Sequence, residues 1–470
     1  MESNMTLNRR AFMGTLAAAG AASLAAAERK SSAAPSSETV SLSSALRVEA
    51  AVDVFVAGGG PAGICAALAA ARAGKMVYLA EATGAFGGAA TAAYVPAFAP
   101  FDDGVHPVVG GIGREIRRQV SQDVPISSYW TAIDLEELKR VYDRMISEAG
   151  INYAFFTSLV AVEAKDGHVD HVVLAGKRGL FAVKAHIFID ATGDADLVAF
   201  GGGAFEMGDE EGTVMPCTLC TQWCDIDFSQ RNPHPQSLLP KAIADGVFSV
   251  PDLHLPGFFK GPYRDSSLGR GNIGHVFNVD PTDERSLTRA MVDARRRMPE
   301  WGRFYKEYLK GYEKMRLAST APHLGVRESR RVTCDYTLTV KDFVARASFP
   351  DEVGRYCYPV DVHNSKPGDA AAMAAFLKEY QKDLKYRKGE SYGIPYRSLI
   401  PKSFSNVLVA GRCMGVDRKM QASIRVMPGA FITGQAAGTA AALAVGSGEV
   451  RAVKSDDLRA ALRSAGAYIV

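Results

Sequence analysis

Two groups of residues in this chain have the types and spacings that chemistry needs. The first is the turn Gly58-Gly59-Gly60-Pro61-Ala62-Gly63. Glycines at its first, third and sixth places let the backbone turn tightly at Gly58, approach a pyrophosphate at Gly60 and pack a helix against a strand at Gly63. The second group is a set of arginines, with one Asp-x-His pair, in the C-terminal third: Arg327, Arg330, Arg331, Asp361, His363 and Arg425. A guanidinium binds a carboxylate through two parallel hydrogen bonds or stabilises a developing enolate. An imidazole acts as general base toward an alcohol or as proton donor toward an alkene. On a strand Asp361 and His363 share a face, as do Arg327 and Arg331, while Arg330 points away. Each of these residues also has an ordinary structural use, an ion pair for an arginine or a satisfied core position for a histidine.

The elements around the glycines complete a unit. Val52–Ala57 is a β-branched apolar run of the kind that forms a buried parallel strand, Ile64–Ala73 is an Ala-rich helix closed by Gly74, and Met76–Ala80 is a second strand ending in Glu81. Glu81 lies 18 residues beyond Gly63, where a carboxylate accepts ribose hydroxyls and repels a 2′-phosphate. The helix N-terminus offers free N–H groups and a partial positive charge to phosphate. Later, Asn406–Arg412 reads as a buried strand ending in glycine. Ser423–Gly429 leads into a Gly- and Ala-rich helix from Ala430 to Val445, able to sit close to a sheet or a ring.

Thr83–Thr91, with Gly87-Gly88, resembles the acid-then-Gly-Gly segment of the glutathione reductase and fumarate reductase type of FAD domain. Ala191-Thr192-Gly193-Asp194 resembles the motif closing the first half of such domains. Ile151–Val160 resembles the strand that meets the adenine. Together with Leu324–Arg331, Asp361-Val362-His363, Ala410-Gly411-Arg412 and Ser423–Pro428, these motifs resemble the bacterial FAD-dependent oxidoreductases related to fumarate reductase flavoproteins, over about residues 50–465. The resemblance implies a cofactor site built from Gly58, Gly60, Ala62, Gly63, Glu81, Ala82, Gly87, Gly88, Val160, Thr192, Gly193, Asp194, Gly411, Arg412, Met427 and Gly429. It implies a last helix aimed at the pyrimidine end of the flavin, and so Arg425 near the ring, with His363 and Arg327 as the other catalytic candidates. No His-Pro-Thr-Gly-like segment for covalent attachment is present, so non-covalent FAD is expected. No metal is expected. No second dinucleotide unit is present, so electrons are expected to pass to or from another protein, a quinone or oxygen rather than NAD(P)H.

The expected fold is α/β, a Rossmann-like FAD-binding domain of the glutathione reductase type with an inserted α+β substrate or cap domain. Residues 49–204 and 391–470 form the FAD-binding parts and 205–390 the insertion. Within the insertion, Ser286–Arg316 reads as a charged, largely exposed helix. Asp194 and Asp196 either cap the helix that follows them or touch cofactor. Asn8-Arg9-Arg10-Ala11-Phe12 before an Ala-rich run resembles a twin-arginine export signal over residues 1–27, with a Ser/Ala/Pro linker at 28–48, which points to the periplasm with no stable membrane span after cleavage. Lys plus Arg number 54 against 51 Asp plus Glu, a net +3, and no long basic run occurs, so a nucleic-acid partner is not expected. Seven cysteines cannot all pair. Cys217, Cys220 and Cys224 sit within eight residues without a clear fourth metal ligand, and buried thiols or a single disulfide are the expected use. The expected activity is two-electron oxidation or reduction of a small organic substrate. A carbohydrate or alcohol dehydrogenase and an electron-transfer flavoprotein subunit are the alternatives.

Overall fold

The computed structural model describes residues 45–121, 128–255, 257–263 and 265–470, and the expected export signal and most of the expected linker lie outside them. Residues Leu46–Val470 form one compact unit.

Its centre is a sheet of seven strands. Strand β1 (Arg47–Ala57) starts earlier than its apolar run, because its polar first half pairs with Phe181–Lys184 while Val54–Ala57 are buried. After it come helix α1 (Pro61–Arg72) and strands β2 (Val77–Ala80), β3 (Asn152–Ala154), β4 (Ser158–Lys165), β5 (His168–Gly176) and β6 (Gly179–Asp190). The strand order is β3-β2-β1-β6-β5-β4. The pairs β1–β2, β2–β3 and β1–β6 are parallel, whereas β4–β5–β6 is an antiparallel meander. The sequence suggests two strands at 179–184 and 185–190, and the chain runs them as one. One edge of β6 lies along β1. The other pairs first with β5 and then, at Phe188–Asp190, in parallel with β7 (Val407–Val409). Ala57, Ala80, Ala154, Asp190 and Val409 therefore end at one edge of the sheet, the edge where open α/β sheets bind ligands.

Helix α3 (Met427–Ala444) covers the sheet beside α1. A Cβ on Gly434 or Gly438 would collide with the backbone oxygens of Ala62 or Ala66, so these glycines set the distance between the two helices.

The inserted region has its own sheet, in the order Gly257–Lys260, Gly269–Asn272, Thr221–Cys224, Arg316–Thr320. Helix α2 (Glu284–Tyr308), which precedes α3 in the chain, packs on it. This helix is not the largely exposed element suggested by its charges. It stops at Tyr308, and Ala290, Ala294, Met298, Trp301, Phe304 and Tyr305 form a buried stripe that also holds Arg297, with most of the charged residues elsewhere on the helix. Met298, Trp301, Phe304 and Tyr305 meet Trp223, Ile226 and Leu239 in a core separate from the main one, and Ala290 and Ala294 pack in a third cluster with Cys217, Leu219 and Val276. From Val332 onward the chain packs again in the main core.

All seven cysteines are free thiols. Cys217 and Cys220 are buried, and burial pushes both up to about 12. Among the described residues no helix is long and apolar enough to cross a membrane.

Candidate active site

A cavity of about 820 Å³ opens at the C-terminal edge of the parallel strands. Residues directly after three strand ends line it: Gly58 after β1, Glu81 after β2 and Ala191 after β6, with Ala410 after β7. The glycine turn holds Gly58 at φ +91°, a conformation only glycine adopts easily. Glu81 is buried and does local work as well as facing the cavity. Its Oε2 accepts from the Gly59 amide at 2.8 Å and its Oε1 from the Thr83 amide at 2.7 Å.

Two helix N-termini meet at this cavity. Gly60 precedes helix α1 and Val426 precedes α3, and neither helix start is capped by a side chain. A Cβ on Gly60 would meet no protein atom within 4 Å, so the space before α1 is open. Unsatisfied amides at an open, positively polarised helix end suit a phosphate.

Of the residues expected to bind cofactor, Gly58, Gly60, Ala62, Glu81, Gly88, Thr192, Gly193, Asp194, Gly411, Arg412 and Met427 line the cavity. Gly63, Ala82, Gly87, Val160 and Gly429 do not. Gly63 packs its Cα face on the Gly58 carbonyl, and the Gly87 amide donates to the Gly59 carbonyl at 2.8 Å. Ala82 is exposed, as is Val160 on the antiparallel strand β4, and Gly429 sits in the first turn of α3 against the Ile424 carbonyl. Asp194 caps no helix. It accepts from Arg412 Nη2 at 2.6 Å, and Arg412 Nε donates to the Gly193 carbonyl. Asp196 accepts from Arg330 at 2.8 Å.

The same cavity is lined by Arg327, Asp361, His363 and Arg425. The arginine run is not a strand from 327 to 331. Residues 326–330 are irregular, and Arg331 turns into the core, where it donates to the buried carboxylate of Glu328 at 2.7 Å. Arg327 points the other way and donates to the Pro216 carbonyl, Thr218 Oγ1 and Asn272 Oδ1. Burial, and then repulsion from Arg425, push its guanidinium down to about 10.

Asp361 and His363 also lie off any strand, since the nearest one ends at Tyr356, and a loop brings their side chains together with His363 Nε2 3.3 Å from Asp361 Oδ2. Arg425 Nη2 donates to the Asp361 carbonyl at 3.0 Å, and the Tyr358 hydroxyl donates to the Asp361 carboxylate. Arg425 Nε is buried and has no hydrogen-bond partner among the described residues. Burial would raise Asp361, but His363 and then Arg425 outweigh it and hold the carboxyl well below the usual range. Burial, followed by the charge of Arg327, pushes His363 well below its ordinary value, so it stays neutral.

Several site residues carry no motif. His254 stacks on His363 with ring centroids 4.5 Å apart, and His275 Nε2 lies 2.8 Å from His363 Nδ1. One ring nitrogen of each of the three histidines lies within 4.8 Å of the other two. Tyr129, Trp130, Phe259 and Tyr358 give the cavity an aromatic wall. The sequence held one signal for the histidines: Asp252-Leu253-His254 repeats the Asp-x-His spacing of Asp361-Val362-His363.

The FAD dependent oxidoreductase family matches residues 53–462. No curated protein matches the chain. Among solved structures, a geranylgeranyl bacteriochlorophyll reductase-like protein from Thermoplasma acidophilum is similar at 12% identity and TM-score 0.45, covering 89% of this chain and 84% of that one. The p-nitrophenol 4-monooxygenase PnpA from Pseudomonas putida DLL-E4 is similar at 14% identity and TM-score 0.44, covering 88% and 84%. The OxyS anhydrotetracycline hydroxylase from Streptomyces rimosus is similar at 12% identity and TM-score 0.42, covering 88% and 65%. With a match across most of its length and an open cavity between two uncapped helix ends, the chain belongs to the FAD dependent oxidoreductase family: it is an FAD-dependent oxidoreductase and its cofactor is FAD.

Proposed function

We propose that the protein oxidises a hydroxyl group of a small organic molecule by two electrons, using non-covalently held FAD, after twin-arginine export to the periplasm. The observation that carries this reading is the pair His363 and Asp361 on the cavity wall, a neutral imidazole beside an ionised carboxylate. Such a pair is a base, and alcohol oxidation needs one. FAD, when bound, accepts the hydride.

The protein's own residues do the rest. The uncapped ends of α1 and α3, Glu81 and the Gly193–Arg412 contact would hold the dinucleotide. His363 Nε2, backed by Asp361, takes the hydroxyl proton. Arg425 lines the cavity, anchored by its Nη2 on the Asp361 carbonyl, and its guanidinium charge suits a carboxylate or alkoxide oxygen on the substrate. The wall of Tyr129, Trp130, Phe259 and Tyr358 excludes water from the reacting carbon. Electrons then leave to a partner protein, a quinone or oxygen. The Gly-Gly segment and the last helix support a relation to fumarate reductase flavoproteins, in which the same arginines and histidine would serve alkene reduction.

Anaerobic mixing of the yellow protein with 2-hydroxy acids, alcohols and sugars tests the proposal. Bleaching of the flavin by one of these classes is expected. Reoxidation of the reduced protein by an enoate, with no bleaching by any hydroxyl compound, would reverse the assigned direction.

A further inference from the structure

The wall around His363 holds one more positive charge than negative among the described residues. Two guanidiniums, Arg327 and Arg425, stand beside one carboxylate, Asp361. Arg327 is buried, and its described hydrogen bonds all go to neutral oxygens: the Pro216 carbonyl at 2.9 Å, Thr218 Oγ1 at 2.8 Å and Asn272 Oδ1 at 3.0 Å. The next acid, Asp252, is taken up by His275 Nδ1 and two backbone amides. A buried cation without a counter-ion is costly, so this wall favours a ligand that brings one negative charge.

An apolar face lies beside the charge. Helix Ala370–Lys382 is capped by Asp369, whose carboxylate accepts from the Ala372 amide at 2.8 Å, and none of its residues is fully buried. Met373, Phe376, Leu377 and Tyr380 recur at the spacing of one helical face, and all four line the cavity. Phe376 and Tyr380 rest partly on the main core, whereas Leu377 is 49% exposed. Trp130, 43% exposed, makes T-shaped contacts with Tyr129, Phe259 and Tyr358 on the same cavity wall. Large apolar side chains left open on a cavity wall mark a ligand site. Short links join the two features. Arg425 Nη2 donates to the Asp361 carbonyl at 3.0 Å, the Tyr358 hydroxyl donates to Asp361 Oδ2 at 3.2 Å, and the Tyr358 ring centroid lies 5.9 Å from that of Trp130. One small molecule with an anionic end and a ring spans them.

We propose that the substrate is a 2-hydroxy acid carrying an aromatic ring, its carboxylate on Arg425 and its ring against Trp130 and Leu377. This rests on the hydroxyl-oxidation reading above. His363 and Arg425 both contact Asp361, at 3.3 Å and 3.0 Å, so a hydroxyl at the one and a carboxylate at the other belong on neighbouring carbons. The carboxylate supplies the negative charge that the two arginines lack. A ring presents edges and faces to the T-shaped aromatic set, whereas a sugar would stack there and leave the charge unanswered. Oxidation gives a 2-oxo acid: the hydroxyl proton leaves at His363, and the hydride on the same carbon goes to FAD.

Calorimetric titration of the yellow holoprotein with phenylpropionate, which has the ring and the carboxylate but no hydroxyl, measures the site without turnover. Phenylpropionate should bind at least about 10-fold more tightly than propionate and than phenylpropanol. Trp130→Ala and Leu377→Ala change half-exposed side chains and should retain FAD, and each should cut the preference for phenylpropionate over propionate about 5-fold or more. Equal binding of phenylpropionate and propionate, tighter binding of phenylpropanol or glucose, or a preference unchanged in both variants would overturn the assignment. The two readings fail separately. If phenylpropionate binds with this preference but phenyllactate does not bleach the flavin, hydroxyl oxidation fails and the aryl carboxylate site stands. If lactate bleaches the flavin and phenylpropionate does not bind, the aromatic class fails and hydroxyl oxidation stands.

Discussion

The packing of α1 against α3 gives a prediction whose size follows from contact geometry. Gly434→Ala places a methyl group against the Ala62 carbonyl oxygen, well inside the 3.0 Å that Cβ atoms essentially never breach. The obstacle is backbone within a buried helix, so no side chain can swing away, and the helices must separate by about 1 Å. Overpacking of this kind costs about 1–3 kcal/mol, here toward the upper figure, and the helix-propensity gain of Gly→Ala returns about 1 kcal/mol. A net loss of about 2 kcal/mol is expected in urea unfolding followed by circular dichroism. Gly438→Ala meets the Ala66 oxygen in the same way. Because one separation relieves both clashes, the double variant should lose clearly less than the sum of the two. The separation also spreads Ala62 and Met427, which line the cavity from the two helices, so FAD affinity should fall about 10-fold. Gly446→Ala, with nothing within 4 Å, is the control and should stay within about 0.5 kcal/mol of wild type. Wild-type stability and FAD affinity in Gly434→Ala would refute the claim that these glycines set the spacing.

Four further outcomes are expected. Glu81→Ala strips one buried and one half-buried amide of their acceptor and should cost about 2–3 kcal/mol and weaken FAD binding in a fluorescence titration, with Glu81→Gln milder because it keeps one acceptor. His254, held at about 4 against an unfolded value near 6.5, binds fewer protons folded than unfolded. Its contribution of about 3 kcal/mol is therefore present above pH 6.5 and is lost as pH falls toward 4; His254→Phe should flatten that window in unfolding free energy against pH. His363→Ala should leave FAD bound and slow flavin reduction by about 100-fold in stopped flow, and unchanged kinetics would remove it from the mechanism. Denaturation should release the yellow colour into the supernatant, and flavin remaining with the chain would contradict non-covalent binding.

The nucleotide half was legible because each of its parts is local. Strand, glycine turn, helix, strand and acid follow one another within about 30 residues, and the apolar period and the glycine spacing carry the geometry directly. The single strand β6 was read as two because its outer edge changes partner, and that change depends on Val407–Val409, far along the chain. Helix α2 looked exposed because its composition is charged, while its buried stripe is visible only in the spacing of Ala290, Ala294, Met298, Trp301 and Tyr305. The histidine cluster was hidden for a different reason. Asp252 and His363 come from irregular segments and His275 from a two-residue strand, and no periodicity relates residues that meet only through tertiary packing.

The shared outer edge of β6 also orders events during synthesis. Phe188–Asp190 wait for a partner more than 200 residues downstream, and α1 waits for α3. A chain that has emerged only to residue 400 has already made the glycine turn but lacks Ala410, Gly411 and the second helix end that face it. Until those arrive, one rim of the nascent sheet and the apolar face of α1 stay uncovered, a surface for chaperones and a hazard for aggregation. The flavin is thus a latecomer, captured when the last seventh or so of the chain shuts the crevice.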